Sequence, residues 1–316
     1  MAKDFARRNI LSEPHRIILT ASTSESYSFL FKLICDPGES VLIPRPGYPL
    51  LEYLTRLDAV KGIPYQLYYH GEWSIDLESL AKSVTKDTRA VVIVSPNNPT
   101  GSFIKSHELE TLISLCHRYN LVLIGDEIFA DYPLPYDGKR GPSVLDQKEV
   151  LAFSLGGLSK SVGLPGAKLS WMAVGGPEVE VKDALARLEL ICDTYLSVSN
   201  AIQYAVPGLL KLADETRQKI ASRVAENHTT LLAKIRTYPA CQVLELEGGW
   251  MATIQVPSTK TEEMLAIELL EFDHVLVHPG YFFDFTTESF VVVSLLTNPE
   301  DFSEGITRLL KRFMLV

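Results

Sequence analysis

The sequence predicts an α/β protein: a three-layer, mostly parallel sheet with helices on both faces, followed by a smaller C-terminal α+β domain. Three observations predict it. Three short apolar runs, at 40–44 (SVLIP), 90–96 (AVVIVSP) and 121–127 (LVLIGDE), are rich in branched residues and do not alternate, as strands covered on both faces do. Helical stretches lie around them: 76–84 and 106–119 each open on a capping-type residue and carry apolar residues at three-to-four spacing. After Gly175-Gly176-Pro177 the texture changes from strand–helix alternation to a long helical region and then short strands with two helices.

In order, further strands of the sheet are expected at 150–155 and 169–174. Residues 178–238 read as helix, with Pro207 marking a break. The last part holds strands at 242–245, 251–256 and 290–295 and helices at 261–272 and 299–313. The domain division expected is 1–205 for the large domain and 206–316 for the small one. There is no internal repeat and no low-complexity segment.

The 316 residues carry 30 basic and 39 acidic side chains, a net charge of -9, with 46% hydrophobic and 22% charged residues. An acidic surface repels phosphate backbones and anionic lipid, so nucleic acid and membranes are not expected partners. Cys35, Cys116, Cys192 and Cys241 show no Cys-x-x-Cys spacing, which argues against a zinc site or disulfide framework and fits a cytoplasmic protein. The N-terminus MAKDFARRNI has no apolar signal region, and no run is long enough to span a bilayer.

Ligands of open α/β sheets bind beyond the carboxyl ends of the strands, so the residues after each strand bear on function. Ser22, Thr23 and Ser24 open an apolar helix. They read as an ordinary N-cap or as an anion cradle of backbone N–H groups at the positive end of a helix dipole. The string 95–101, SPNNPTG, follows the most hydrophobic strand. It reads as a turn, or as a device presenting the Asn98 amide to a pocket. Asp126 follows Val-Leu-Ile-Gly, where an ionised carboxylate is costly without a cationic partner; an N-cap or surface turn is the other reading. Lys160 lies among small and apolar residues in Ser154–Lys168. Desolvation there disfavours the ammonium and makes the amine a nucleophile, although a lone loop lysine is commonly just solvated.

Taken together and in this order, SPNNPTG and the Ser-Lys-x-x-Gly-x-Pro-Gly segment at 159–166 resemble the fold type I pyridoxal 5′-phosphate (PLP) enzymes, in particular the class I/II aminotransferase family. The resemblance runs from about Ile17 to the C-terminus. It implies that Lys160 holds the cofactor as a Schiff base and shuttles the proton, and that Asp126 pairs with the pyridinium nitrogen. It implies that Asn98 donates to the ring O3′ and that Tyr48 stacks on the ring. Ser22, Thr23 and Ser24 match the phosphate turn, and Lys168 falls where the family usually has a phosphate-binding arginine.

The sequence departs from that pattern at several points. Phe129 stands where the family typically has a tyrosine that also bonds O3′. The turn at Ala21-Ser22 lacks the usual glycine, and Gly157 replaces a frequent serine. Lys168 keeps the charge of arginine without its bidentate fork. Val292 aligns with the arginine that grips a substrate α-carboxylate, and no arginine occurs between Arg236 and Arg308. Gly248-Gly249-Trp250 and Tyr281 resemble pocket-lining positions. The family has several tens more residues before the phosphate turn, so a truncated N-terminus lacking the family's arm is expected, with residues 2–8 as the tail of a preceding helix. The resemblance implies transamination between an amino donor and an oxo acid, by a ping-pong route in a homodimer. A PLP-dependent lyase, or a PLP-fold protein with a binding or regulatory role, is the alternative.

Overall fold

Apolar runs become strands where both neighbours can cover them, and helices form where one face is apolar. The computed structural model describes residues 1–10, 12–135, 140–287 and 289–313. In chain order the first half holds α1 (Ala2–Arg7), β1 (Ile17–Thr20), α2 (Thr23–Ile34), β2 (Ser40–Arg45), α3 (Leu50–Leu57), β3 (Lys61–Tyr69), β4 (Trp73–Ile75), α4 (Leu77–Ser83), β5 (Thr88–Val94), α5 (Ser106–Tyr119) and β6 (Val122–Asp126). Then come β7 (Ala152–Gly157), α6 (Leu158–Ser161), β8 (Ser170–Gly175), α7 (Glu178–Tyr195), α8 (Asn200–Ile235), β9 (Gln242–Val243), β10 (Met251–Gln255), α9 (Glu262–Asp273), β11 (His278–Pro279), β12 (Phe290–Ser294) and α10 (Pro299–Arg312).

The eight-stranded sheet has the order β1-β8-β7-β6-β5-β2-β3-β4. Strands β7, β6, β5, β2 and β3 run parallel, while β8, β1 and β4 pair antiparallel. Alternate residues divide between two cores, as the period of a strand requires. Val41, Ile43, Val92, Ile124 and Phe153 pack with Leu30 and Phe31 of α2 and Val181 and Leu188 of α7. Leu42, Val91, Ile93 and Leu123 pack with Leu80 of α4 and Leu112 and Cys116 of α5. The three-layer α/β expectation therefore holds.

A second, four-stranded antiparallel sheet, order β11-β12-β10-β9, follows. Ala252, Ile254, Val291 and Val293 turn one face of it onto α8, α9 and α10 through Val224, Leu231, Leu265, Leu269, Ile306 and Leu309. The position 205/206 falls inside α8, whose Val206 and Ala213 pack with α1 and α6 residues while Val224 and Leu231 pack on the second sheet. Residues Glu288 and 314–316 of the C-terminal part lie outside the described residues.

Several local expectations change. The helical region breaks at 196–199, where Leu196 turns left-handed (φ 50), and Pro207 lies inside α8. Proline's fixed φ is itself helical, so it removes one backbone bond without forcing a stop when packing holds the helix. Ser106 is the first helical residue and not the cap; its hydroxyl donates to the Arg140 carbonyl, and the Glu108 carboxylate accepts the Lys105 N–H at 2.7 Å. The expected 242–245 strand shortens to Gln242–Val243.

A buried carboxylate ties down the segment before β12. Glu262 at the start of α9 accepts backbone N–H groups from Tyr281 (2.7 Å), Ser289 (3.0 Å) and Phe290 (2.8 Å). Glu262→Ala leaves these donors without that acceptor, and the expected cost is about 2–4 kcal/mol. Urea unfolding checks it: the midpoint should fall at unchanged slope, and a loss below about 0.5 kcal/mol contradicts the assignment.

Candidate active site

The carboxyl ends of neighbouring strands bring the candidate residues to one edge of the large sheet. Asp126 ends β6 and pairs in register with Val94, the residue before SPNNPTG, and with Leu155 of β7. Five residues beyond Leu155, Lys160 sits in α6. On the other side, Gly157 pairs with Ser170 and Ser170 with Thr20, so the turn at Ser22 leaves from the same edge.

Lys160 is half-buried, and its ammonium lies over the ring faces of Trp250 (5.1 Å) and Phe129 (5.6 Å). No ion pair to it occurs among the described residues. Burial holds its pKa below the ordinary lysine value. Phe129 meets Trp250 edge-on at 5.4 Å, and Tyr132 lies tilted on the same indole at 5.1 Å. The backbone of Lys160 is held from behind. Tyr132 donates its hydroxyl to the carbonyls of Lys160 (2.6 Å) and Ser161 (3.1 Å). Arg217 of α8 donates to the Ser161 hydroxyl at 2.7 Å, and that hydroxyl donates to Asp131 at 2.6 Å. Arg217 also pairs with Asp4, and Arg7 of α1 with Asp131. Burial pushes the Asp131 carboxyl up, but Ser161, Arg7 and Arg217 outweigh it and hold the group below its ordinary value.

Asp126 is buried. Its Oδ1 accepts the Ile128 N–H at 3.1 Å and its Oδ2 the Tyr27 hydroxyl at 3.0 Å. Burial pushes its pKa up to about 6 against those two bonds, with Glu127 adding to the rise. Tyr48, half-buried after β2, lies close enough that the Asp126 charge adds to the upward push of burial on its phenol. Its loop is docked by the Gly47 N–H, which donates to the Phe283 carbonyl at 3.0 Å.

The SPNNPTG turn presses on the segment carrying Trp250. Gly101 has φ 69, and a Cβ there would lie 1.9 Å from Leu246 and 2.5 Å from the Gly248 carbonyl, so only glycine fits. The carboxamide oxygen of Asn98 and the carboxamide nitrogen of Asn97 are buried without a hydrogen-bond partner among the described residues, as is the Trp250 indole nitrogen. Ser22 caps α2, accepting the Glu25 N–H at 3.1 Å, with Thr23 and Ser24 in the first turn. Lys168 is exposed and left-handed (φ 47), two residues before Ser170 and thus near the Ser22 end of the edge; its ammonium makes no hydrogen bond or ion pair among the described residues. Gly157 also finds its reason: a Cβ there would meet the Ser170 hydroxyl at 2.3 Å, so a serine side chain already fills that space from β8.

Val292 is fully buried at the centre of the second sheet, paired with Thr253 and His278. Sequence reasoning missed Tyr27, Tyr132 and Arg217. Tyr27 passed as one more apolar residue on a helix face, and the two others join Lys160 only through long-range contacts.

A comparison with known families now bears on this edge. The profile of the family described as Aminotransferase class I and II matches residues 2–309. The chain belongs to the class I and II aminotransferases. That family uses pyridoxal phosphate. Among curated aminotransferases, the chain is 25% identical to a tyrosine aminotransferase of Caenorhabditis elegans over 93% of its own length, and spans 63% of that relative. It is 26% identical to an alanine aminotransferase of Mycobacterium tuberculosis, over 93% of the chain and 70% of the relative. It is also 27% identical to an S-alkyl-thiohydroximate lyase of Arabidopsis thaliana, over 69% of the chain and 48% of that enzyme. In fold it superposes on an alanine aminotransferase from Pyrococcus furiosus with a TM-score of 0.90, at 22% identity, covering 100% of this chain and 80% of the other. Among the described residues no helix could cross a membrane, and no cluster of His, Cys, Asp and Glu could hold a metal.

Proposed function

We propose that this aminotransferase-family chain is a PLP-dependent transaminase that moves an amino group from an amino donor to an oxo acid. The observation that carries the reading is Lys160: a half-buried amine over Phe129 and Trp250, without a carboxylate partner among the described residues, on the sheet edge that also bears the buried carboxylate Asp126. The residues present fit the cofactor. The buried Asp126 carboxylate, its pKa raised by burial, has no cation beside it among the described residues, and a protonated ring nitrogen would be one. The Asn97 carboxamide nitrogen, a buried donor without a partner among the described residues, suits a ring oxygen beside the Asn98 amide, and the serine-rich start of the 12-residue α2 suits a phosphate.

When bound, the cofactor supplies an electrophilic carbonyl carbon and a ring that accepts the electron pair released from the donor C–H bond. Lys160 holds it and, once released, moves the proton at the donor carbon. Asp126 keeps the ring nitrogen protonated. Asn98 donates to the ring oxygen without help from Phe129, which has no hydroxyl. Tyr48 covers a ring face. Ser22, Thr23 and Ser24 hold the phosphate, with Lys168 as the nearby cation. Phe129 and Trp250 give the Lys160 amine an apolar wall, and Tyr132 packs on the same indole.

The proposal extends to a homodimer, supported by the exposed apolar residues Leu190, Leu196, Tyr204 and Leu212 on or beside α7 and α8. It extends to a cytoplasmic setting, in keeping with four free cysteines, and to a large domain of 1–205 with a small one of 206–316. The lyase relative favours β-elimination as the second reading. Visible spectra of the PLP-loaded protein with amino donors test both. A transaminase converts the lysine-bound band to that of pyridoxamine phosphate and releases an oxo product. Pyruvate and ammonia without an acceptor favour the lyase, and no spectral change with any amine defeats both.

A further inference from the structure

We propose that Tyr27 is a positioning residue for Asp126: its hydroxyl fixes the rotation of the buried carboxylate and favours its charged form. The proposal rests on the reading that Asp126 faces the pyridine nitrogen. Tyr27 lies in α2, five residues after Ser22, and is 1% exposed. Its hydroxyl reaches Asp126 Oδ2 at 3.0 Å, while the Ile128 N–H holds Oδ1 at 3.1 Å. The two oxygens are thus held from two different elements, and the carboxylate cannot turn without breaking one bond. A phenol buried this deeply needs an acceptor, and this carboxylate is the one it has among the described residues.

The groups around Asp126 leave this role to Tyr27. Tyr48 approaches from the loop after β2. Tyr65 of β3 stands beside Tyr27 but donates its hydroxyl to the Val92 carbonyl at 2.8 Å. Glu127, next in the chain, gives its charge to Arg8 at 2.7 Å and to the Ser143 hydroxyl. No cation pairs with Asp126 among the described residues. Neutral donors alone therefore oppose the cost of burying the charge, and Tyr27 is the one from a side chain.

The sign follows from burial. Asp126 is raised from 3.8 to about 6, so the folded, cofactor-free protein binds this proton more tightly than the unfolded chain. Its stability falls as pH rises from the lower value through the higher one. Losing the Tyr27 hydroxyl raises the group further and extends that loss to higher pH. Cofactor binding needs the carboxylate, so its acid limb moves up as well.

Tyr27→Phe keeps the ring and its packing. PLP affinity, read by visible absorbance from pH 5 to 8.5, is expected to show an acid limb about one pH unit higher, with about ten-fold weaker binding near pH 5, about two-fold weaker binding near pH 7 and near-normal binding at the alkaline end. The Tm of the cofactor-free variant should fall below that of the original protein between about pH 6 and 8 and match it below pH 5. Asp126→Asn removes the Asp126 limb and leaves only the cofactor's own ionisations. A folded Tyr27→Phe protein with an unchanged limb overturns the proposal, and so does an equal loss of affinity at every pH, which marks packing alone. If the unaltered protein binds no PLP, or Asp126→Asn keeps its limb and affinity, the assignment of Asp126 to the pyridine nitrogen fails and takes this proposal with it.

Discussion

Lys160→Ala is expected to leave a folded protein that no longer fixes pyridoxal phosphate on borohydride reduction and whose turnover falls by about 10⁴-fold or more. The site asks two things of this side chain: a nucleophilic amine and a mobile base. Neither Phe129 nor Trp250, its two ring neighbours, can supply them. Lys168 is exposed on the far side of a 3₁₀ turn and forms no part of that aromatic wall. The fold should survive the change. The Lys160 ammonium makes no ion pair among the described residues, and the Tyr132 and Arg217 bonds are to backbone and to Ser161. Mass spectrometry of the reduced, digested protein locates the bound cofactor. Recovery of the same reducible cofactor in the alanine variant would show that another amine does this work.

The second large effect concerns the donor. Common α-amino acids such as aspartate and alanine are expected to react about 100-fold or more slowly than matched amines lacking the α-carboxylate. A carboxylate taken into a pocket needs a cation or several donors, and leaving it unpaired costs several kcal/mol. Arginine is the usual answer because its fork meets both oxygens. Here the aligned position is Val292, fully buried between Thr253 and His278, and the Thr253 hydroxyl beside it has no partner among the described residues. Arg45 stands at the end of β2 but faces Asp284 at 3.4 Å. Arg140 is occupied by the Leu134 and Glu247 carbonyls and the Phe103 ring. Trp250 and the half-exposed Tyr281 offer apolar surface to a bulkier amine. Single-turnover kinetics with amino acid and amine pairs decide the matter. Rapid, saturable conversion by aspartate or alanine with none by the amines would remove the idea.

The strand runs at 40–44, 90–96 and 121–127 were legible because strands buried on both faces must be apolar without alternation, and little else in a sequence looks like them. The residues that follow them were legible for the same reason: once the strand ends are known, the chemistry-bearing side chains of Asn98, Asp126 and Lys160 fall on one edge. Strands β1, β3 and β4 at the sheet margins were harder to see. Lys61–Tyr69 mixes exposed and buried residues, as an outer strand does, and its pattern is weak.

What the sequence determined by itself is the order of the central strands and the longer helices, and the amine, carboxylate and carboxamide that follow the strand ends as candidate site residues. What only the tertiary structure decided is how those groups are held. Tyr27 reaches Asp126 across 99 residues of sequence, Arg217 reaches Ser161 across 56, and Gly157 is free of a side chain because Ser170 fills the space from β8. Periodicity records which face of an element is buried; it carries no information on which distant hydroxyl or guanidinium meets it there. That choice depends on register and packing between elements, a long-range property that no local window contains.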